Sequence, residues 1–403
     1  MTGSEGLRVA IYINKHPLQN SYFGCYEFLR FVLKLPMLMP LRVLRIIDAN
    51  LNRASEGLRL LEDVARFILN DARLSQQLKA MRHSLVEETK SLGLELLSQR
   101  DSEHDVGVTL TQPSPFEGED LAKAHQDLPG IITANAKRVA ESLRVIEELA
   151  KLPETSSMLN SAKFEQLRFS LYTLEQQLTS RILRQDKVKQ LAGLYVVLDK
   201  QALAGRNELE IAEQVIQGGA KVIQLRDKQS SKAELLPVAQ KLKALCAESG
   251  ILFMINDYLD LVLAVGADGL HIGQEDLPLP IIRKELPIDK IVGCSVTKVS
   301  QAIKAQNEGA DYIAVGSIFP TPTKKDATVV GVDRLKQIRQ AVSSPLVAIG
   351  GINEGNIDEV MAAGADSVAV ISAVLGKEDV KGAVQRLMAK MGMSRKEEHL
   401  AVS

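Results

Sequence analysis

GAKVIQLRDK, residues 219–228, contains in ten positions the pattern that decides the fold. Gly219-Ala220 closes a helical stretch, an apolar run follows, and the run ends in Gln224, Arg226 and Lys228, spaced by two. A period of two puts these three side chains on one face of a strand. Reading outward, the Gly-Ala pair recurs at Gly266, Gly309 and Gly364, and three of the four instances read Gly-Ala-Asp. Such pairs are helix C-caps, spaced about two strand–helix units apart. Between them run LYVVLD, KVIQLRDK, LFMIND, GLHIGQ, IVGCSV, YIAVGSIF, PLVAIGG and SVAVIS, each followed by helical periodicity. Continuous apolar runs of this length predict parallel strands covered on both faces. Eight strand–helix units in about 200 residues make a compact (β/α)8 TIM barrel of the α/β class. A doubly wound open sheet is the alternative, but it calls for a glycine-rich first turn that is absent here.

In a barrel the face shared by Gln224, Arg226 and Lys228 is the interior, and the C-terminal strand ends form the active site. Two cations inside a barrel require an anion, either a ligand or structural carboxylates. The third strand ends in Asn256-Asp257, and the loop after the fourth carries Gln274, Glu275 and Asp276. Carboxylates from adjacent strand ends suit a hard divalent ion, and Mg2+ is the natural inference. Taken singly, Asp257 reads equally well as a helix N-cap, and only its pairing with Asp276 favours a ligand. His271 reads as a satisfied interior imidazole. The sixth strand is followed by TPTKKDATVVG, residues 321–331, a long loop bearing Thr321, Thr323, Lys324 and Lys325. Loops of that length in compact domains are usually functional. Gly350-Gly351 and Ile371-Ser372 close the seventh and eighth strands, where barrels offer backbone N–H groups to phosphate. One subsite with metal and cations, and another lined by backbone, would fit a diphosphate and a monophosphate.

In this order, QLRDK, IND, ADGLHIGQED, GCSVT, GSIFPTPTKKD, AIGGI and VISAV resemble thiamine-phosphate synthase (thiamine-phosphate pyrophosphorylase) from about Leu191 to Met391. The resemblance implies an enzyme that joins 4-amino-2-methyl-5-(diphosphooxymethyl)pyrimidine to thiazole phosphate, forming thiamine phosphate and releasing diphosphate. It implies that Gln224, Arg226, Lys228, Asn256 and Lys324 contact the pyrimidine diphosphate, with Arg226, Lys228 and Lys324 catalytic. Asp257 and Asp276 would bind Mg2+, and Ser295 would sit at the pyrimidine. Thr321, Thr323, Gly351, Ile371 and Ser372 would hold the thiazole phosphate. A thiazole tautomerase-like barrel and a non-catalytic sensor of thiamine precursors are the alternatives. The tautomerase does not need the diphosphate cations, and intact charge at every subsite disfavours the sensor.

Residues 39–186 read as an all-α domain. DANLNRASEGLRLLEDVAR from Asp48 and TANAKRVAESLRVIEELAK from Thr133 both place Asn, Arg, Glu, Arg and Glu at steps of three, and each precedes a second helix. A duplicated helical hairpin follows. Charged ridges at this spacing are usually solvated salt-bridge ladders. Similar segments fused ahead of this synthase are proposed as pyrimidine-phosphate kinases, although GxxxxGK[ST] is absent. A structural role is the alternative. Residues 1–38, with a short strand at Val9–Ile13, read as a leader that does not belong to the natural chain, the natural start being Met37 or Met39, and a loosely docked extension is the other reading. Residues 187–392 form the barrel and 393–403 a polar tail.

Composition narrows the partners. Forty-nine Lys and Arg against fifty Asp and Glu leave a net charge of −1, so no bulk attraction draws in nucleic acid or membranes. Aromatics are 4% and Trp is absent, which argues against base-stacking platforms and membrane aromatic belts. Cys25, Cys246 and Cys294 have no metal or disulfide spacing, consistent with a reducing, cytoplasmic setting. Partners are then small-molecule substrates, and a homo-oligomer is compatible with this composition.

Overall fold

The computed structural model describes residues 22–100, 127–321 and 328–401, with side chains for 42–100, 127–321 and 328–392. The chain divides into two compact units, Met1–Gln176 and Gln177–Ser403. The split falls inside a helix, Ser161–Gln190, where the sequence reading put the boundary at 186/187.

The first unit is helical. It comprises α1 (Tyr22–Asp63), a wide turn at Val64–Ile68, α2 (Ala72–Thr89), α3 (Gly93–Ser98), α4 (Leu128–Leu149) and the start of α5 (Ser161–Gln190). Residues 22–38, read as part of a leader, are the opening of α1, because an apolar run without alternation fits a helix as well as a loop. The strand expected at Val9–Ile13 lies outside the described residues. Asp71 caps α2 by accepting from the N–H groups of Arg73 and Leu74, and Asp127 caps α4 through Gly130. The helices α1 and α4 cross closely at Gly57, where a Cβ would lie 2.5 Å from the Val139 side chain.

The duplication is visible in the contacts. Asn50 and Asn135 donate to the carbonyls of Ile46 and Ile131, each at 2.8 Å. Buried Glu62 accepts from Arg82 at 3.0 Å, and buried Glu147 accepts from Arg168 at 3.0 Å. The ladders are therefore solvated only in their middles, at Arg53, Glu56 and Arg59 and at Arg138, Glu141 and Arg144. Each step of three turns back about 60°, so five positions sweep about 240° and both ends return to the apolar edges.

The second unit is the expected barrel. Strands β1 (Leu194–Asp199), β2 (Val222–Arg226), β3 (Leu252–Asn256), β4 (Gly269–Ile272), β5 (Ile291–Val296), β6 (Tyr312–Val315), β7 (Leu346–Ile349) and β8 (Ser367–Val370) pair in sequence order, all parallel, and β8 closes on β1. Alternate residues, among them Tyr195, Val197, Val222, Met254, Tyr312 and Ala369, fill the interior, while the other face of each strand joins the helices in the main core. The four Gly-Ala glycines are left-handed caps, with φ of 100°, 67°, 96° and 93°.

The Asp of each Gly-Ala-Asp has a common task at the N-terminal end of the barrel. Asp268, Asp311 and Asp366 accept from the backbone N–H of Phe253, Val292 and Leu346, at 2.9, 2.8 and 2.8 Å. A cation neutralises each one: Lys243 at Asp268, Arg184 and Arg283 at Asp311, and Arg339 at Asp366. Residues 393–401, read as a tail, continue the C-terminal helix Val380–Ala401, since SRKEEHLA contains no helix breaker. No described helix is long and apolar enough to cross a membrane.

Candidate active site

At the C-terminal ends of the strands lies a cavity of about 620 Å³. It gathers Gln224, Arg226 and Lys228 from the end of β2, Asn256 and Asp257 from β3, Asp276 from the loop after β4, and Ser295 from β5. Thr321, Gly351, Ile371 and Ser372 line it from the ends of β6, β7 and β8. Thr323, Lys324 and Lys325 lie outside the described residues. All the other expected site residues meet in this one hollow.

The period-two argument accounts for the first wall. Gln224 and Arg226 share the interior face, while Asp227 turns the other way and anchors the loop by accepting from Gln229 N–H at 2.7 Å and Ser230 N–H at 3.0 Å. That turn presents Lys228 to the cavity. Both cations are already paired, the outcome that the sequence reading had set against a ligand anion. Arg226 donates to Asp199, its register partner on β1, and Lys228 lies 3.0 Å from Asp257. Asp199 was missed although it shares the parity of Tyr195 and Val197, because the run LYVVLD was read for its apolar character.

Asp257 sits in the left-handed region at φ 63°, an uncommon conformation for a residue with a side chain and one that clusters at functional sites. Burial, together with the neighbouring Asp276 carboxyl, holds the Asp257 carboxyl above its ordinary range, against the pull of Lys228. Asp276 is steadied by the Gly273 N–H at 2.6 Å. Among the described residues no three His, Cys, Asp or Glu side chains converge as metal ligands, so the carboxylate pair is what a metal would find. On the opposite wall Gly350 and Gly351 have φ of 102° and 66°, and a Cβ on either would strike Ser317 or the Phe319–Pro320 segment. Only glycine fits there.

Inside the barrel His271 is satisfied on both ring nitrogens, by Tyr312 at 2.9 Å and Ser295 at 2.8 Å, as its sequence reading expected. Burial pushes its imidazole down to about 4, so it is neutral. Tyr195 and Tyr312, both buried, were not singled out by sequence. Their hydroxyls are 3.1 Å apart, and Gln224 donates to Tyr195 at 2.8 Å.

Residues 194–374 match the family model described as thiamine monophosphate synthase, and residues 45–177 match the ThiD2 family. Over 352 residues the sequence is 40% identical to the thiamine-phosphate synthase of Thermosynechococcus vestitus, covering 87% of this chain and 95% of that one. The chain belongs to the thiamine-phosphate synthases. Its activity is accordingly that of a transferase of thiamine biosynthesis. The thiamine-phosphate synthase of Synechocystis is 38% identical across 87% of this chain and 97% of the relative. The Clostridium tetani synthase is 47% identical over 194 residues, covering 48% of this chain and 93% of the relative. Among solved structures, thiamine phosphate pyrophosphorylase from Pyrococcus furiosus is 38% identical and covers 51% of this chain and 98% of that one, with a TM-score of 0.48.

Proposed function

We propose that the barrel joins 4-amino-2-methyl-5-(diphosphooxymethyl)pyrimidine to thiazole phosphate by a dissociative route that releases diphosphate. The observation that carries this reading is the asymmetry of the cavity. One wall holds Arg226, Lys228 and two facing carboxylates, and the other holds Gly351, Ile371 and Ser372. A diphosphate suits the first wall and a monophosphate the second.

The amino group of the pyrimidine donates electrons toward the methylene carbon, so the C–O bond can break before the thiazole nitrogen attacks. The barrier then depends on charge gathering on the departing diphosphate. Arg226 and Lys228, held in place by Asp199 and Asp257, meet that charge in a cavity partly closed to water, and Lys324 would join them. Preorganised charge of this kind is usually the largest catalytic contribution. The aromatic thiazole nitrogen carries no proton, so no general base is required.

Asp257 and Asp276 fit Mg2+: two crowded carboxylates, one of them disfavoured as an anion, match an ion that keeps several waters and takes one or two carboxylates plus phosphate oxygens. Bound there, Mg2+ would add positive charge against the diphosphate. The local charges support the need for it, because among the described residues Arg226 and Lys228 are outnumbered by Asp199, Asp257 and Asp276.

The assay that tests this reading follows diphosphate release with each substrate alone and with both. Release that requires both, with thiamine phosphate formed, is expected. A barrel that only rearranges thiazole phosphate, or that binds without turnover, would overturn it.

For the helical unit the reading is ATP-dependent phosphorylation of the pyrimidine phosphate, which would make the barrel's own substrate. A solvent-open hollow of about 840 Å³ beside α1 would be the place for it, lined by Ser55, Glu56, Arg59, Asp63 and Arg82 together with the apolar Leu60, Val64, Phe67 and Ile68. The full chain given ATP, pyrimidine monophosphate and thiazole phosphate should then form thiamine phosphate. If product appears only with the pyrimidine diphosphate, the helical unit is structural.

A further inference from the structure

We infer that Tyr195, Tyr312 and His271 form a polarised hydrogen-bond relay that makes Gln224 an acceptor and Ser295 a donor toward the pyrimidine ring. The inference rests on the proposed reading and on the expectation, from the family resemblance, that Gln224 contacts the pyrimidine diphosphate and Ser295 sits at its ring.

The relay crosses the barrel interior through five strands. Gln224 Nε2 on β2 donates to Tyr195 Oη on β1 at 2.8 Å. Tyr195 Oη lies 3.1 Å from Tyr312 Oη on β6, which lies 2.9 Å from His271 Nδ1 on β4. His271 Nε2 lies 2.8 Å from Ser295 Oγ on β5. Tyr195 and Tyr312 are 2% and 0% exposed, so neither hydroxyl can turn to bulk water for a partner.

A buried hydroxyl has one proton to give and must place it. With the Gln224 amide donating to Tyr195, only one assignment gives both tyrosine hydroxyl protons an acceptor. Tyr195 donates to Tyr312, Tyr312 donates to Nδ1 of His271, and Nε2–H of His271 donates to Ser295 Oγ. Two consequences reach the cavity. The Gln224 amide turns its nitrogen toward Tyr195, giving one of its two N–H donors to that hydroxyl, and leaves Oε1 on its other side for a ligand. Ser295 accepts from His271 and has its own proton left to give. An aminopyrimidine presents the matching pair, an amino N–H donor beside a ring-nitrogen acceptor. The same ring with a 4-oxo group presents the reverse, an acceptor beside an N–H donor, and meets a mismatch at both contacts.

The relay is built to keep its geometry. The Tyr312 ring stacks on His271 with centroids 5.7 Å apart and interplanar angle 23°. It also occupies the space that a side chain at Gly293 would need. Tyr195, Tyr312 and His271 are positioning residues: they set which atom Gln224 and Ser295 present.

The test compares the full-length wild type with Tyr195→Phe, Tyr312→Phe and Gln224→Ala, measuring KM for the pyrimidine diphosphate and the inhibition constant of its 4-oxo analogue. Phenylalanine keeps the ring and removes only the hydroxyl. The expected result is a fall of at least ~10-fold in the amino-over-oxo preference in each phenylalanine variant, the scale of one well-made hydrogen bond. KM for thiazole phosphate should stay within about twofold. A merely structural role would weaken both pyrimidines equally, and that result, or an unchanged preference, overturns the relay. Because the two tyrosines lie on different strands, either folded variant decides the matter. If Gln224→Ala keeps the wild-type preference, the placement of the pyrimidine at Gln224 is wrong and the relay falls with it. If Gln224→Ala lowers the preference and the tyrosine variants do not, only the relay falls.

Discussion

At the N-terminal end of the barrel, Asp311 sits between Arg184 and Arg283 and accepts the Val292 N–H. At the C-terminal end, Asp199 holds Arg226 and Asp257 holds Lys228, and both cations border the cavity. The chemistry of the pairs is the same, but the surroundings differ. The Arg184 pair is buried on both sides and its remaining donors reach backbone carbonyls such as Ile288 at 2.8 Å, so its work is internal. The Lys228 side chain is 57% exposed and meets a carboxylate already disfavoured as an anion. An ion pair stabilises the fold when its partners are fully enclosed and hydrogen-bonded, and becomes a binding device when one side opens on a cavity.

The largest expected effect is at the closed end. Asp311→Ala leaves Arg184 and Arg283 facing each other without a counter-charge and should cost about 3–5 kcal/mol in urea unfolding, with turnover of the folded fraction unchanged. A loss of turnover without loss of stability would erase the contrast between the ends. Next, Arg226→Ala or Lys324→Ala should lower kcat by at least ~100-fold, about 2.7 kcal/mol of lost charge stabilisation. Near-normal turnover in both would remove the catalytic meaning of the open end. Asp276→Ala should shift the Mg2+ titration of activity upward by ~10-fold or more, and an unmoved titration would deny the carboxylate pair a metal. A smaller effect is expected from Asp199→Asn, which keeps the shape and removes the charge that steers Arg226. A loss of ~10-fold in kcat/KM for the pyrimidine diphosphate, with thiazole phosphate unaffected, would show that the Asp199 pair serves binding. The smallest is Gly219→Ala, which forces a side chain onto a φ of 100° and should cost about 1 kcal/mol with no effect on turnover.

The barrel was readable because it is repetitive. Each strand announces itself by a short apolar run, and three of the four Gly-Ala caps carry the Asp that seals the N-terminal end. The site was readable for a related reason: polar residues that interrupt such runs at their C-terminal ends mostly point to the mouth, with Asp227, which anchors its own loop, as an exception. Gln224, Arg226, Asn256, Asp257 and Ser295 all satisfied that rule. Tyr195 and Tyr312 escaped it because an aromatic residue inside an apolar run reads as core, and only their hydroxyls reveal a second task. In the helical unit the repeat was plain, but the burial of Glu62 and Glu147 was not, since a charged ridge reads as solvated until its partners Arg82 and Arg168 are known.

Periodicity, caps and strand-end chemistry are local properties, and from them the chain by itself determined a duplicated helical segment, an eight-stranded barrel and most of the residues at its mouth. Pairing between distant side chains is not local. Arg226 with Asp199, and Gln224 through Tyr195, Tyr312 and His271 to Ser295, join residues up to 117 positions apart whose meeting depends on the closure of β8 on β1 and the register around the ring. Only the tertiary structure could decide those contacts. A barrel interior brings every strand within reach of the same few ångströms, and the sequence records which residues point inward but not which of them touch.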